Sequence, residues 1–468
     1  MAPDADRLRQ RHTHTSVLGK DDVNDSATEP VYRISTLKTL GGTEVVIDGA
    51  IYDIANFDHP GGETIEIFGG NDVTVQYKMI HPYHTAKHLE KMTRVGTVPD
   101  YSSEYKWGTP FEREIKKEVF KIVRRGKEFG TYGYFARAIF YIAFFFTLQY
   151  YWVTSSTSYA LSIVYGVSQA FIGLNVQHDA NHGAASKKPW VNHLLGLGAD
   201  FIGGCKWLWM EQHWTHHSYT NHHTDDPDSY GAEPMLIWND YPPGHPKRSY
   251  RHHFQAFYYM PVLAGYWLSS VLNTEVITLQ QSGAKTVGIN MDNPYIMRSR
   301  KWAVALRILY IYTNIIAPFV SQGFSLNIIG HILTMGAASS LTLAVLFGLS
   351  HNFEHVDRDP TYETRHGGDD QVCWFKAQVE TSSTYGGFIS GALTGGLNFQ
   401  VEHHLFPRMS SAWYPYIAPK VREICKKHGV RYAYYPWVHQ NLISTVKYIH
   451  QAGTGSNWND GNPYSGKQ

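Results

Sequence analysis

AIFYIAFFFTLQYYWVTSSTSYALSIVYGVSQAFIGLNVQHDANH, residues Ala138–His182, has no Asp, Glu, Lys or Arg in its first 41 positions, Ala138 to His178. A helix needs roughly 20 apolar residues to cross a bilayer core, so this run holds two crossings and a turn. The turn falls at Val153–Ser158, itself uncharged. A second run, Ile308–Phe353, extends over 46 uncharged residues, with its turn at Gln322–Ser325. Two transmembrane hairpins, hence four spans, are expected. The mean hydropathy of the whole chain is still slightly negative, because charge is segregated to the ends and the middle. Aromatic residues make up 14%, with 13 Trp and 32 Tyr, a composition suited to the bilayer–water boundary.

Lys116, Lys117, Lys121, Arg124, Arg125 and Lys127 stand just before the first run. Basic residues flanking a span resist translocation, which puts this side and both termini in the cytosol. The middle of the chain is basic again, in HPKRSYRHH (His245–His253) and MRSRK (Met297–Lys301), and is read as cytosolic too. Two further apolar segments, Trp190–Gly204 and His252–Thr274, are assigned to helices lying in the interface. The first carries Asp200, and a crossing by the second would separate histidine groups that belong together.

Outward from the membrane runs, residues 1–31 are polar and aperiodic, read as a disordered lead without the apolar core of a secretory signal. Residues 32–99 alternate in a strand-like pattern at Glu44–Ile47 and Ala50–Ile54, and form a small separate α+β domain. Residues 100–130 are a linker with an amphipathic helix, since Phe111, Ile115, Val119 and Ile122 recur on one helical face. The remainder, 131–468, is an all-α membrane domain. Lys and Arg total 41 against 40 Asp and Glu, so the surplus positive charge that nucleic-acid binding uses is missing. The three cysteines are scattered and outside any CxxC pair, which argues against both a disulfide scaffold and a thiolate zinc site.

The 26 histidines carry the chemistry. In the small domain, Asp58–Gly62 reads DHPGG, and a low-spin electron-transfer haem needs two imidazoles presented from rigid turns on opposite faces of the ring. His59 is one candidate; His81 or His84 is the other, while His88 reads as a surface residue. In the membrane part come QHDANH (His178, His182), HWTHH (His213, His216, His217) and QVEHH (Gln400, His403, His404). Residues at i, i+3 and i+4 share a helix face, so each cluster can aim several imidazoles at one place. Imidazole suits iron, copper, nickel and zinc alike, but about eight convergent ligands fit two ions better than one. His351, in LSHNFEH after the second run, is an additional candidate ligand, ahead of Asn352 and His355. His222 and His223 read as part of a solvated acidic loop, and His331 as a packed residue in the middle of a span.

The small domain resembles cytochrome b5, through DHPGG and GGNDVTVQY (Gly69–Tyr77); Asp72, Thr74 and Ile80-His81-Pro82 fit the pattern of b5 domains fused to desaturases and favour His81. The HxxxH, HxxHH and QxxHH boxes after it resemble the front-end membrane fatty acid desaturases. Stretches such as NVQHDANHGA and GGLNFQVEHHLFPRMSSAWYPYIAPKVREIC look like the diatom-type Δ5 members. The resemblance implies haem b on His59 and His81. It also implies a cytosolic site of two non-haem irons held by His178, His182, His213, His216, His217, Gln400, His403 and His404. It further implies a cis double bond, of Δ5 position, introduced into C20 polyunsaturated acyl chains carried on coenzyme A or phospholipid. Dioxygen, an NADH–cytochrome b5 reductase and an endoplasmic reticulum membrane complete the implied system. The alternatives are a desaturase or hydroxylase of another position or of sphingolipids, and a haem-regulated metal transporter.

Overall fold

The computed structural model describes residues 33–34, 40–83, 86–222, 225–230, 232–238, 241, 244–272, 285–286, 289–290, 294–358 and 371–456. The polar lead 1–31, His84 and His223 lie outside the described residues.

The small N-terminal unit is built on a four-stranded sheet of β1 (Arg33–Ile34), β2 (Glu44–Ile47), β3 (Ala50–Asp53) and β4 (Thr93–Thr97), in the order β1-β4-β3-β2. The β2–β3 hairpin turns on Asp48-Gly49, with φ of 49° and 78°. Two positive φ values match the right-handed twist of the strands, and glycine adopts them without cost. Val46 of β2, Ile51 of β3 and Ile67 are fully buried. Helix α1 (Thr74–Ile80) starts where Asp72 Oδ1 accepts from the Thr74 amide at 2.9 Å and from the Thr74 hydroxyl at 2.6 Å. A short α2 (Ala86–Leu89) follows.

Helix α3 (Pro110–Ile122) has Thr109 as its N-cap and proline in its first turn. Phe111, Ile115 and Val119 are buried, and Ile122 at its end is exposed. Then come α4 (Tyr132–Thr154) and α5 (Tyr159–Ile172), whose N-cap is Ser158. A π-helical turn, Gly173–Gln177, leads straight into α6 (His178–Asn181). Short helices α7 (Pro189–Gly196) and α8 (Gly198–Phe201) precede α9 (Lys206–Ser218). Next are α10 (Gln255–Ala264), α11 (Tyr266–Leu272), the β5–β6 pair (Lys285–Thr286 with Ile289–Asn290) and α12 (Pro294–Ile311). A second π-turn at Tyr312–Ile316 continues into α13 (Ala317–Gln322), and α14 (Leu326–Gly348) returns. The last part holds α15 (Trp374–Glu380), β7 (Ser383–Tyr385), α16 (Phe388–Thr394), α17 (Gln400–Leu405), α18 (Tyr414–Lys427), β8 (Ala433–Tyr435) and α19 (Val438–Thr454).

Among the described residues, three helical stretches are long and apolar enough to cross a membrane: Tyr159–Asn181, Tyr295–Gln322 and Leu326–Gly348. Helix α4 matches them in length with 23 residues but is rich in tyrosine and carries Arg137. Glycine brings α5 and α14 into backbone contact, since a Cβ on Gly166 would lie 2.2 Å from the Met335 carbonyl oxygen. The second π-turn aims Asn314 at α5, where its Oδ1 accepts from Tyr165 Oη at 2.8 Å and Gln169 Nε2 at 3.0 Å. Such bonds satisfy polar groups that lipid could not.

Three expectations need correction. The described part of the segment expected at His252–Thr274, residues 252–272, does not lie flat in an interface: α10 and α11 run down the side of α14, with Tyr259 Oη near Gly348 and the Trp267 ring against Gly336. Twelve residues of helix separate those two levels, about 18 Å of descent. Pro261 and Gly265 divide the segment into pieces too short to cross, and Ser340 Oγ accepts the Trp267 amide at 2.6 Å, capping a helix start inside the bundle. Nor is the membrane domain purely helical, because β7 pairs in parallel with β8 and ties the approach to α16 to the strand before α19. His331 lies near the start of α14, not its middle; its Nδ1 is 2.7 Å from Thr157 Oγ1, and its ring packs on Tyr159.

The N-terminal unit and the helical part share one continuous core. Phe68 stacks on Trp214 of α9 at 6.1 Å, Met79 receives a hydrogen bond from Ser218, and Arg298 pairs with Glu66.

Candidate metal centre and haem pocket

The π-turn after α5 fixes the direction of the first two imidazoles. His178 and His182 follow it on α6 and its C-cap and face His213 of α9 and His403 of α17; the ligand atoms of these four all lie within 4.8 Å of one another. A second group within the same limit comprises His216 of α9, His404 of α17 and His351, which follows α14. His217 stands between the two groups, with ring centroids 4.7 Å from His182 and 4.1 Å from His404. Gln400 joins the second group, its Nε2 3.0 Å from His351 Nε2 and 3.3 Å from His404 Nε2. A half-turn of that amide would present its Oε1 to a metal at the same point. The boxes, together with His351, thus meet as two adjacent nests.

Their outer nitrogens are tied down. His216 Nδ1–H donates to Asp226, His404 Nδ1–H to Gln378 Oε1 at 2.9 Å, and His351 Nδ1–H to the Thr381 carbonyl at 3.1 Å. Tyr414 donates its hydroxyl proton to the Met409 carbonyl, so its oxygen accepts from His403 Nδ1–H at 3.0 Å. Each bond leaves Nε2 as the lone-pair nitrogen and fixes the ring plane, the arrangement metal ligands require. Among the described residues, His182, His216 and His403 keep a buried Nε2 with no hydrogen-bond partner, and both ring nitrogens of His178 are in the same state. Orphaned buried nitrogens converging on two points are costly unless an ion takes their lone pairs.

Electrostatics agrees. Burial, reinforced by neighbouring imidazoles, holds His213, His217, His403 and His404 well below the usual histidine range. They are therefore neutral and able to ligate at ordinary pH. His216 differs: burial would lower it, but the Asp226 and Asp228 carboxylates outweigh that and raise it.

Several of these supports were invisible in the spacing of the boxes. Asp179, buried between His178 and His182, accepts from Ser410 Oγ, Ser411 N and Ser411 Oγ, each at 2.9 Å, and so ties box one to the loop after box three. Asp226 belongs to the acidic loop whose charges suggest solvent, yet it is buried. His222 of that loop is also buried, with Glu104 Oε1 2.8 Å from Nε2 and Asp225 Oδ2 2.8 Å from Nδ1, away from the two nests. Asn352 receives a hydrogen bond from Arg358, and His355 is exposed; neither joins a nest.

A cavity of about 940 Å³ opens onto the nests. His178, His213, His216 and His351 line one part, and Leu263, Trp267, Ser270 and Ser340 another. α10 and α11, which descend along α14, supply much of its wall.

In the N-terminal unit, His59 and His81 face each other with ring centroids 5.9 Å apart and planes 84° apart. At that separation both imidazoles could serve one haem iron held between them. His81 Nδ1–H donates to the Tyr77 carbonyl at 2.9 Å, leaving Nε2 for the ion. The turn after His59 requires glycine: a Cβ on Gly61 would sit 2.7 Å from the His59 ring, and Gly62 has φ of 82°. His88 is exposed.

A haem-type unit joined to an apolar helical domain with paired histidine nests defines a membrane oxidoreductase. Comparison with known proteins agrees: residues 154–436 match the fatty acid desaturase family and residues 39–99 the cytochrome b5-like heme/steroid binding domain. The chain belongs to the fatty acid desaturase family, with an N-terminal cytochrome b5 domain. It is 31% identical to the acyl-lipid (7-3)-desaturase of Rebecca salina, over 87% of this chain and 90% of the relative. It is 28% identical to the acyl-lipid (8-3)-desaturase B of Dictyostelium discoideum, over 87% and 91%, and 27% identical to that organism's Delta(5) fatty acid desaturase A, over 87% and 90%. The chain is accordingly an oxidoreductase of membrane lipid metabolism, and its b5 domain implies haem and electron transfer. Family membership leaves the metal-transporter reading without support.

Proposed function

We propose that this desaturase is a front-end enzyme that introduces a cis double bond into a C20 polyunsaturated acyl chain at the Δ5 position. The observation that carries the desaturase chemistry is the pair of imidazole nests at a cavity able to take an apolar chain. In this reading His178, His182, His213 and His403 hold one iron, and His216, His351, His404 and Gln400 the other, with His217 between them. Two irons there would supply, with dioxygen, the oxidising power that acid–base side chains lack against an unactivated methylene. The chain's own residues do the rest. Asp226, Gln378, Thr381 and Tyr414 aim the imidazoles, burial keeps His213, His217, His351, His403 and His404 neutral, and the cavity wall from Leu263 to Trp267 excludes water and fixes which methylene reaches the nests. His59 and His81 hold haem b, with electrons delivered by an external NADH–cytochrome b5 reductase. Tethering maintains the b5 domain at ~mM effective concentration.

The same reading takes residues 32–99 as the b5 domain, 100–130 as linker and 131–468 as the membrane domain. It counts α4 as the fourth span, with both termini cytosolic at the endoplasmic reticulum. The relatives' names, acyl-lipid desaturases, support a lipid-bound substrate over coenzyme A. The Dictyostelium Delta(5) enzyme supports the position, whereas the (7-3) relatives favour a second reading, the same chemistry at another carbon.

Expression in a host that lacks such fatty acids, fed candidate C20 acids and analysed by gas chromatography with mass spectrometry, tests both. A new double bond on the carboxyl side of the existing ones is expected. Its location at a different carbon would retain the desaturase and discard Δ5.

A further inference from the structure

The twenty-one residues from Thr381 to Val401 contain no Asp, Glu, Lys or Arg, yet they fall outside the four spans. Their centre is α16, Phe388–Thr394, and its two faces differ. Gly391 and Thr394 are buried, while Phe388 is 67%, Ile389 78% and Leu393 51% exposed. Trp437 and Val438, at the start of α19, are exposed as well, and Val438 lies beside Gly386. Two chain segments thus present one apolar surface, of the kind that soluble faces avoid.

The depth of this surface identifies what covers it. Asn175 Nδ2 donates to the Leu393 carbonyl at 3.0 Å, and a Cβ on Gly395 would lie 2.1 Å from the Leu174 carbonyl oxygen. Leu174 is the sixteenth residue of the span beginning at Tyr159, about 22 Å along it, inside a hydrocarbon core of about 30 Å. On the other side Tyr385 Oη donates to the Leu346 carbonyl, near the end of α14. α16 therefore packs against helices at a level where lipid surrounds them. Its backbone is prepared for that setting: Asn398 Nδ2 donates to the Tyr385 and Gly387 carbonyls, and the Thr394 hydroxyl to Ser390. Polar groups satisfied within the protein are what hydrocarbon demands.

We infer that Phe388–Thr394 is a membrane-inserted helix whose Phe388, Ile389 and Leu393 face enters the acyl region of the leaflet on the metal side. The helix leads through Gly395 and Gly396 into Leu397, which lines the cavity, and Gln400 in the second nest. Insertion thereby anchors box three to the bilayer from which the acyl chain comes.

The inference rests on the membrane reading but not on the substrate. The test is a spin label at Ile389→Cys, in a Cys373→Ser chain whose Cys205 and Cys425 are buried, reconstituted at full length in phosphatidylcholine vesicles. Collisional relaxation is then compared between dioxygen, which concentrates in lipid, and a water-soluble nickel chelate. The label is expected to respond to oxygen and hardly to nickel. A nickel response, or shielding from both reagents, would overturn the inference, the latter pointing to a protein partner or a second copy. A parallel label at Val320→Cys, exposed on α13, separates the causes: if it too were reached by nickel alone, the membrane assignment of the spans would be at fault.

Discussion

His216 directs its Nδ1 at both carboxylate oxygens of Asp226, 3.0 Å from each. A carboxylate behind a ligating imidazole raises its basicity and fixes its plane, worth 10–100-fold in metal affinity as an order of magnitude. Asp226→Asn retains an acceptor but removes the charge. The non-haem iron content is expected to fall from two per chain towards one, with the haem absorbance unchanged; full retention of both irons would refute the role.

His351→Ala should behave similarly, because it removes a member of the second nest and leaves the first intact. Elemental analysis should find one iron lost, with no desaturation product. Loss of both, or of neither, would contradict the division into two nests.

The imidazoles make the metal-free protein sensitive to acid. His182, His213, His217, His351, His403 and His404 are all held below the ordinary histidine range by burial. The unfolded chain takes up protons below about pH 6.5 that the folded chain refuses, so stability falls as pH drops through that value. His216, which is raised, opposes this, as do the Asp200 and Glu402 carboxylates, both pushed up to about 7 by burial. Because these six imidazoles act together, chelated protein should show a melting temperature that declines from pH 7 to 5.5; a flat or rising profile would count against it.

Phe68 couples the b5 domain to α9 through its stack on Trp214. Phe68→Ala should cost about 3–5 kcal/mol of packing where the two domains meet. Reoxidation of the reduced haem by the desaturase domain should slow, while the haem spectrum persists. An unchanged reoxidation rate would mean that this contact does not set the docking.

Gly336 gives Trp267 its place: a Cβ there would lie 2.3 Å from the indole, whose Nε1 donates to Tyr310 Oη at 2.6 Å. Gly336→Ala must push the ring towards the cavity that it lines. Competition between C18 and C20 substrates should then shift towards the shorter chain, read as a product ratio; no shift would place the acyl end elsewhere.

Much of the site could be read from local spacing. The boxes could be placed on helix faces because i, i+3 and i+4 are adjacent there, and α3 could be read because its apolar residues repeat with the helical period. His351 was found by position alone, since a single histidine after a span carries no pattern. Asp226, Gln378 and Tyr414 had no signal: each meets its imidazole across ten or more residues, and such contacts leave no periodic trace. The descent of α10 and α11 was missed for a related reason. Hydropathy cannot separate a segment lying on a bilayer from one packed inside a bundle, and only Ser340 and Gly336 on a distant helix make room for it. His222 misled because acidic neighbours suggest solvent, whereas here they bracket a buried ring.

The π-turn at Gly173–Gln177 gives this architecture an unusual slack. It takes up one extra residue in a single wider turn, whereas in an ordinary helix each residue turns the chain by about 100°. Excising any one of those five residues would let the helix heal into ordinary geometry with His178 and His182 still on nearly the same face. In this stretch a single-codon deletion would therefore be milder than the same loss in a helix without such a turn, where every ligand that follows would be swung aside.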